Sequence, residues 1–283
     1  MRMNVECVRD TRGQGLLYMP PELEPHYVAD GQAIYYGDNC DVLRHFPIEC
    51  VDLVVTSPPY DALREYGGAQ WDFHGLSKQL VRVIKPGGVI VWVVNDQTID
   101  GDESGSSFEQ ALHFKHLGLR LHDTMIFQKN GSSFPQSTRY YQVFEFMFVF
   151  SKGNPKTFNP IADRKNYHPG KRYGRSGRHK NGNRPIEKIR HYVRPESGVR
   201  FNIWMYQSSG VVGVNHPALF PKELAADHIK SWSNEGDVVL DPFSGSGTTV
   251  LMARKMGRKG IGIEINQEYV DESIRRLRQK VLF

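Results

Sequence analysis

Val238-Val239-Leu240-Asp241-Pro242-Phe243-Ser244-Gly245-Ser246-Gly247-Thr248-Thr249 is the stretch on which the fold of this 283-residue chain turns. An apolar run of strand character ends in an aspartate, a proline and a glycine-rich turn, and helical spacing follows from Thr248 to Met256. A second apolar run, Gly260-Ile261-Gly262-Ile263-Glu264, closes on a carboxylate. Gly245 and Gly247 let the backbone approach a ligand closely. Glu264 lies 23 residues after Asp241, at the next strand's end, where it can accept hydrogen bonds from both hydroxyls of a ribose. A nicotinamide site is the rival, but its expected third glycine is Thr249 here, and no lysine supplies the P-loop function.

A third apolar run, Val51-Asp52-Leu53-Val54-Val55, leads into Thr56-Ser57-Pro58-Pro59-Tyr60. Two proline rings fix the backbone there and aim the carbonyls of Ser57 and Pro58 rigidly, with an aromatic ring next in sequence. Rigid acceptors beside a stacking ring suit a flat heterocycle that carries an exocyclic amine. The amine's lone pair is delocalised into the ring. Acceptors that pull its hydrogens toward tetrahedral geometry restore its nucleophilicity, so alignment and electrostatics suffice without a covalent intermediate. Methylation at cytosine C5 would instead need a cysteine nucleophile, and none of Cys7, Cys40 and Cys50 lies in the turn.

Ser-Pro-Pro-Tyr followed far downstream by Asp-Pro-Phe-x-Gly-x-Gly-Thr-Thr resembles the amino-methyltransferase family of DNA enzymes. In these, S-adenosyl-L-methionine donates a methyl group to N4 of cytosine or N6 of adenine. The order, with the catalytic turn N-terminal, the cofactor glycines C-terminal and a basic segment between, is similar to the permuted beta class, and it spans about Ile34 to Leu277. The resemblance implies an α/β fold: a three-layer Rossmann-like methyltransferase sheet with a basic target-recognition insertion. It implies Ser57, Pro58, Pro59 and Tyr60 as the catalytic turn. For the cofactor it implies Asp38, Thr56, Phe220, Asp241, Phe243, Gly245, Gly247, Thr248 and Glu264. Of these, Asp241, Phe243, Gly245 and Gly247 line the methionine part. The segment His216 to Lys222, with Phe220, closes over the methionine tail. Asp38 either contacts the cofactor's adenine or caps the helix that starts near Cys40. Ser57 in the turn points to cytosine N4, with adenine N6 as the alternative. Ser57 and the basic insertion argue against a protein glutamine methyltransferase, whose signature resembles Asn-Pro-Pro-Tyr. The intact motifs argue against an idle DNA-binding module.

Composition is that of an ordinary soluble protein, 39% hydrophobic and 24% charged. No stretch approaches the roughly 18 to 20 uninterrupted apolar residues of a membrane span, and the N-terminus lacks the apolar run of a signal peptide, so an intracellular, cytoplasmic location is expected, nucleoid-associated through DNA. Three scattered cysteines form no CxxC pair, and neither a disulfide framework nor a metal site is expected. The formal charge of +5 is unevenly spread. Lys152 to Arg200 holds 14 Lys plus Arg against 3 Asp plus Glu, a local balance of +11 against −6 for the remainder. Such clustering is the footprint of a phosphate-binding surface. The expected DNA contacts are Lys171, Arg172, Arg175, Arg178, Lys180 and Arg184, with Tyr167, Tyr173 and Tyr192 available for stacking. The loop from Asp61 to Trp71, with Tyr66 and Trp71, reads as a lid or wedge for a base lifted from the duplex. The resemblance leaves open a homodimer and a cognate restriction endonuclease as partners.

Four segments are expected: an N-terminal extension over residues 1–30, the catalytic half over 31–150, the basic insertion over 151–205 and the cofactor half over 206–283. Strands are read at Ala33 to Tyr36, Val51 to Val55, Val89 to Val94, Asp123 to Gln128 and Phe144 to Phe150, the last in an antiparallel hairpin at the sheet edge. Lys85-Pro86-Gly87-Gly88 is expected as a turn. Helices are expected at Asp41 to Phe46, Leu76 to Val83, Phe108 to Leu117, Pro221 to Trp232 and Tyr269 to Leu277. Continuous rather than alternating apolar runs predict a parallel sheet covered on both faces.

Overall fold

The computed structural model describes residues 23–59, 71–130, 138–175, 190–207 and 221–279. It divides into two compact units, one made of Met1–Asn159 and Asn202–Phe283, the other of Pro160–Phe201. The strands in chain order are β1 (Tyr27–Ala29), β2 (Gln32–Tyr36), β3 (Val51–Thr56), β4 (Ile84–Val94), β5 (Thr98–Ile99), β6 (Asp102–Glu103), β7 (Arg120–Asn130) and β8 (Phe144–Ser151). There follow β9 (Arg164–Lys165), β10 (Arg172–Arg175), β11 (Arg190–Val193), β12 (Ser197–Gly198), β13 (Ile203–Gln207), β14 (Val238–Asp241) and β15 (Lys259–Glu264). The helices are α1 (Asn39–Arg44), α2 (Phe73–Val83), α3 (Ser106–His116), α4 (Lys222–Trp232), α5 (Thr248–Lys255) and α6 (Gln267–Arg278).

Among the described residues of the larger unit, nine strands form one sheet in the order β1-β2-β15-β14-β3-β4-β8-β7-β13. The run from β2 to β4 is parallel, β8 enters antiparallel between β4 and β7, and β13 lies parallel to β7. Leu53, Val54, Val55 and Val89 to Val93 are almost wholly buried because helices cover both faces. Leu43 of α1, Leu76 and Leu80 of α2 and Phe114 of α3 pack with Tyr35, Val54, Ile90 and Trp92 on one face. Val250 of α5 and Val270 and Leu277 of α6 pack with Ile34 on the other. The apolar spacing produces this: Leu76, Leu80 and Val83 fall on one stripe of α2, whose start is set by Asp72 accepting from the Gly75 N–H at 2.9 Å.

Three expectations are corrected. The N-terminal extension contains β1, because Asp30 and Gly31, both at positive φ, form a two-residue hairpin turn that pairs Ala29 with Gln32. The Lys85 to Gly88 segment lies inside β4 as an irregularity of the ladder, with Gly87 at φ +81° and the pairing stepping from Val51↔Ile84 to Leu53↔Val89. β8 is an interior strand, paired with β4 on one side and β7 on the other, and the hairpin is not at the edge because β13 docks beyond β7 and takes it. No described helix is long and apolar enough to cross a membrane.

The smaller unit, which falls within the expected basic insertion, holds two antiparallel pairs among its described residues, β9 with β12 and β10 with β11. Part of its basic charge serves its own folding. Arg164 donates to the Val199 carbonyl at 3.0 Å and lies 4.4 Å from the centroid of the Phe201 ring. Arg194 donates to the Tyr167 carbonyl, and Arg200 pairs with Asp163. Lys152, in the larger unit, likewise donates to the carbonyls of Val81 and Ile84.

Candidate active site

The chain leaves β14 through α5 to reach β15 on one side, and leaves β3 through α2 to reach β4 on the other. β14 and β3 are neighbours, so the connections diverge at their carboxyl ends, where open α/β sheets bind ligands. Both sequence motifs leave the sheet at this point. The Thr56 hydroxyl, at the end of β3, donates to Asp241 Oδ1, at the end of β14, at 2.7 Å, and Thr249 Oγ1 donates to the Val55 carbonyl at 3.3 Å. The Ser57 to Pro59 turn and the glycine turn are therefore tied together at their roots, although 185 residues separate Thr56 from Asp241.

Asp241 is 1% exposed and Thr56 0%. Burial pushes the Asp241 carboxyl up to about 6, against the opposing pull of the Thr56 hydroxyl and the Phe243 N–H, which donates to Oδ1 at 3.1 Å. Both side chains are thus engaged within the protein. Glu264 is only partly buried; its Oε2 accepts from the Gly245 N–H at 2.7 Å and its Oε1 from the Asn266 N–H at 2.9 Å. Burial raises its pKa and those N–H groups oppose the rise. Gly247, at φ +77°, has no room for a side chain, since an added Cβ would lie 2.1 Å from Ser273 Oγ. Thr248 opens α5 and is 6% exposed.

At the end of β2, Asp38 Oδ1 accepts from the N–H groups of Cys40 at 2.8 Å and Asp41 at 3.1 Å, so the capping role is present. Asn39 reaches across to donate to the Pro242 carbonyl at 3.2 Å, joining the β2 end to the glycine turn. The Phe243 ring lies 5.1 Å from Trp71 and 6.5 Å from Trp92, making an aromatic wall shared by the two halves. Trp71 packs into that wall, while the rest of the loop expected as a lid or wedge lies outside the described residues. The sequence reading missed Asn39, Trp71 in this role, and two α6 residues behind the glycine turn, Ser273 and Arg276. Their only advance signal was the apolar spacing of α6, which marks the buried face but not the polar partners on it.

Ser57 and Pro59 are half-buried and Pro58 is buried. Tyr60, the loop up to residue 70 and the His216 to Phe220 segment lie outside the described residues, as do Arg178, Lys180 and Arg184. Lys171 and Arg172 are exposed in the smaller unit, Tyr167 is 82% exposed, and Arg175 ends β10. Backbone register places Tyr173 opposite Tyr192.

The DNA methylase family model (N6_N4_Mtase) matches residues 51–275. The orphan methyltransferase M.BamHII of Bacillus amyloliquefaciens is 52% identical over 242 residues, covering 82% of this chain and 90% of its own. Among solved structures, PvuII DNA methyltransferase, titled cytosine-N4-specific, superposes with a TM-score of 0.68 at 22% identity, covering 92% of this chain and 91% of that one. M1.HpyAVI, titled as a complex with SAM, gives a TM-score of 0.56 at 23% identity, covering 87% of this chain and 99% of that one. With a family model that matches most of its length and a relative identical at half the aligned positions, this chain belongs to the DNA methylase family of N6- and N4-methylating enzymes.

Proposed function

We propose that this enzyme methylates N4 of a cytosine lifted out of a DNA duplex, with S-adenosyl-L-methionine as donor. The observation that carries the reading is the Thr56–Asp241 hydrogen bond, which fastens the Ser-Pro-Pro turn to the glycine turn at the divergence point of the sheet. A donor held by one turn and an amine held by the other would then be neighbours.

The residues fit such a donor. Glu264, fixed by two backbone N–H groups, would take the ribose hydroxyls; Asp38 stands at the next strand's end; Gly245 and Gly247 would admit the methionine part beside Phe243. Bound there, the cofactor supplies an electrophilic methyl on a sulfonium sulfur. The protein's part is alignment. Ser57 Oγ and the Pro58 carbonyl accept the amino hydrogens, the two prolines hold these acceptors still, and Tyr60 covers the ring of the base. Asp241 acts through Thr56 and the Phe243 N–H, as a positioning residue behind both turns. Ser57, a neutral hydroxyl, supports cytosine. In the smaller unit, exposed Lys171 and Arg172 support phosphate contacts, extended by Arg175, Arg178, Lys180 and Arg184.

The test separates binding from chemistry. Ser57→Ala and Tyr60→Ala should bind S-adenosylmethionine as wild type does by calorimetry, while transfer of a labelled methyl group to DNA falls by about a hundredfold or more. Wild-type turnover in both variants would remove the turn from catalysis.

A further inference from the structure

We infer that Arg276, with Ser273, is a positioning residue that pre-forms the cofactor turn from behind; the inference rests on the S-adenosylmethionine reading of that turn. Both lie on α6, three residues apart and so on one face of the helix. Arg276 Nη1 donates to the Ser246 carbonyl at 2.5 Å, to Ser246 Oγ at 2.7 Å and to Thr248 Oγ1 at 3.2 Å. Ser273, 1% exposed, donates through Oγ to the Gly245 carbonyl at 3.4 Å. The Gly247 carbonyl accepts from the Leu251 N–H at 2.9 Å, and the Gly247 N–H donates to the Ser244 carbonyl at 2.8 Å.

Every carbonyl from Gly245 to Gly247 is therefore held on the protein's side. Across a trans peptide the N–H points opposite to the carbonyl, so holding the Gly245 carbonyl toward α6 aims the Ser246 N–H away from it. Glycines at 245 and 247, both at positive φ, would otherwise let these peptide planes rotate. All three contacts come from one guanidinium nitrogen, whose two hydrogens are shared among the three acceptors, and the positive charge strengthens each bond. The same helix is joined to the other side of the site, because its cap residue Asn266 donates its N–H to Glu264. Helix α6 thus braces both the glycine turn and the carboxylate without meeting the cofactor.

The prediction is a split between affinity and turnover. Calorimetry and steady-state methyl transfer to unmodified genomic DNA would be run on wild type, Arg276→Met and Arg276→Lys. Arg276→Met should raise Kd and KM for S-adenosylmethionine about tenfold, while kcat at saturating cofactor stays within roughly twofold, and Arg276→Lys should recover part of the affinity. A role confined to holding α6 on the sheet would lower thermal stability and leave Kd unchanged, which overturns the inference. So does a fall in kcat at unchanged KM. Should Arg276→Met fail to fold, Arg276→Lys and Ser273→Ala carry the test, each expected to weaken binding, with wild-type affinity in both refuting the brace. A wild-type protein that binds no S-adenosylmethionine overturns the cofactor reading itself, and the inference with it.

Discussion

Replacing Thr56 by valine removes one oxygen at nearly constant volume from the junction between the two halves of the site. Thr56 is wholly buried and its hydroxyl lies 2.7 Å from a carboxylate that is 1% exposed, so water cannot replace the lost donor. A hydrogen bond to a charged group contributes about 1.5–3 kcal/mol, and a loss at this site belongs at the upper end because Asp241 stays buried and short of a donor. At about 2–4 °C per kcal/mol for a domain of this size, Thr56→Val should lower Tm by about 5–10 °C. In an Asp241→Asn background the same bond joins two neutral groups and is worth about 1 kcal/mol, so Thr56→Val should cost correspondingly less there. Denaturant unfolding of wild type, both single variants and the double variant at pH 7.5 would give a coupling energy of about 1–2 kcal/mol. A coupling below about 0.5 kcal/mol would mean that the two side chains do not act as a unit, and the case for a single site built from both turns would lose its structural basis.

Other consequences are open to direct measurement. Asp241 has a folded-state pKa of about 6, above its ordinary 3.8, so the folded protein holds a proton that the unfolded chain releases between those values. Its contribution to stability is then greatest below pH 3.8, falls as pH rises toward 6 and is flat above. Urea titrations should find Asp241→Asn gaining about 2 kcal/mol on wild type between pH 4 and pH 7, and a constant difference would contradict the burial argument. Glu264→Ala should weaken S-adenosylmethionine binding by roughly 1–3 kcal/mol in calorimetry, because two hydroxyls lose a charged acceptor; unchanged affinity removes Glu264 from the site. Replacing Lys171, Arg172, Arg175 and Arg178 with alanine should flatten the log-log salt dependence of DNA binding by about 0.9 per lost phosphate contact and leave cofactor affinity alone. An unchanged slope would assign DNA binding to another surface.

The parts legible in the sequence are those governed by local pattern. Continuous apolar runs gave β3, the apolar part of β4, and β14 as buried parallel strands, and the glycine turn with Glu264 gave a βαβ unit with a carboxylate at the correct strand end. Local pattern does not carry long-range pairing. Nothing near Thr56 announces Asp241 as its partner, and nothing near Trp71 announces Phe243, since both contacts follow from strand order. β13 was obscure for the same reason: Ile203 to Gln207 is short and becomes a strand by docking on β7. The Asp30-Gly31 turn was readable as a hairpin signal, yet the prolines upstream hid it. Net charge does not tell structural arginines from exposed ones, because it counts Arg164, Arg194 and Arg200, which make contacts within the smaller unit, along with the exposed Lys171 and Arg172.

On the proposed reading, this site methylates the exocyclic amine of cytosine in DNA. DNA treated with the purified enzyme and S-adenosylmethionine, digested to nucleosides and separated by mass spectrometry, tests it in one step. The expected product is N4-methylcytosine. N6-methyladenine without it would contradict the base assignment while keeping the fold and the catalytic turn, and 5-methylcytosine, or no methylated base at all, would contradict the mechanism.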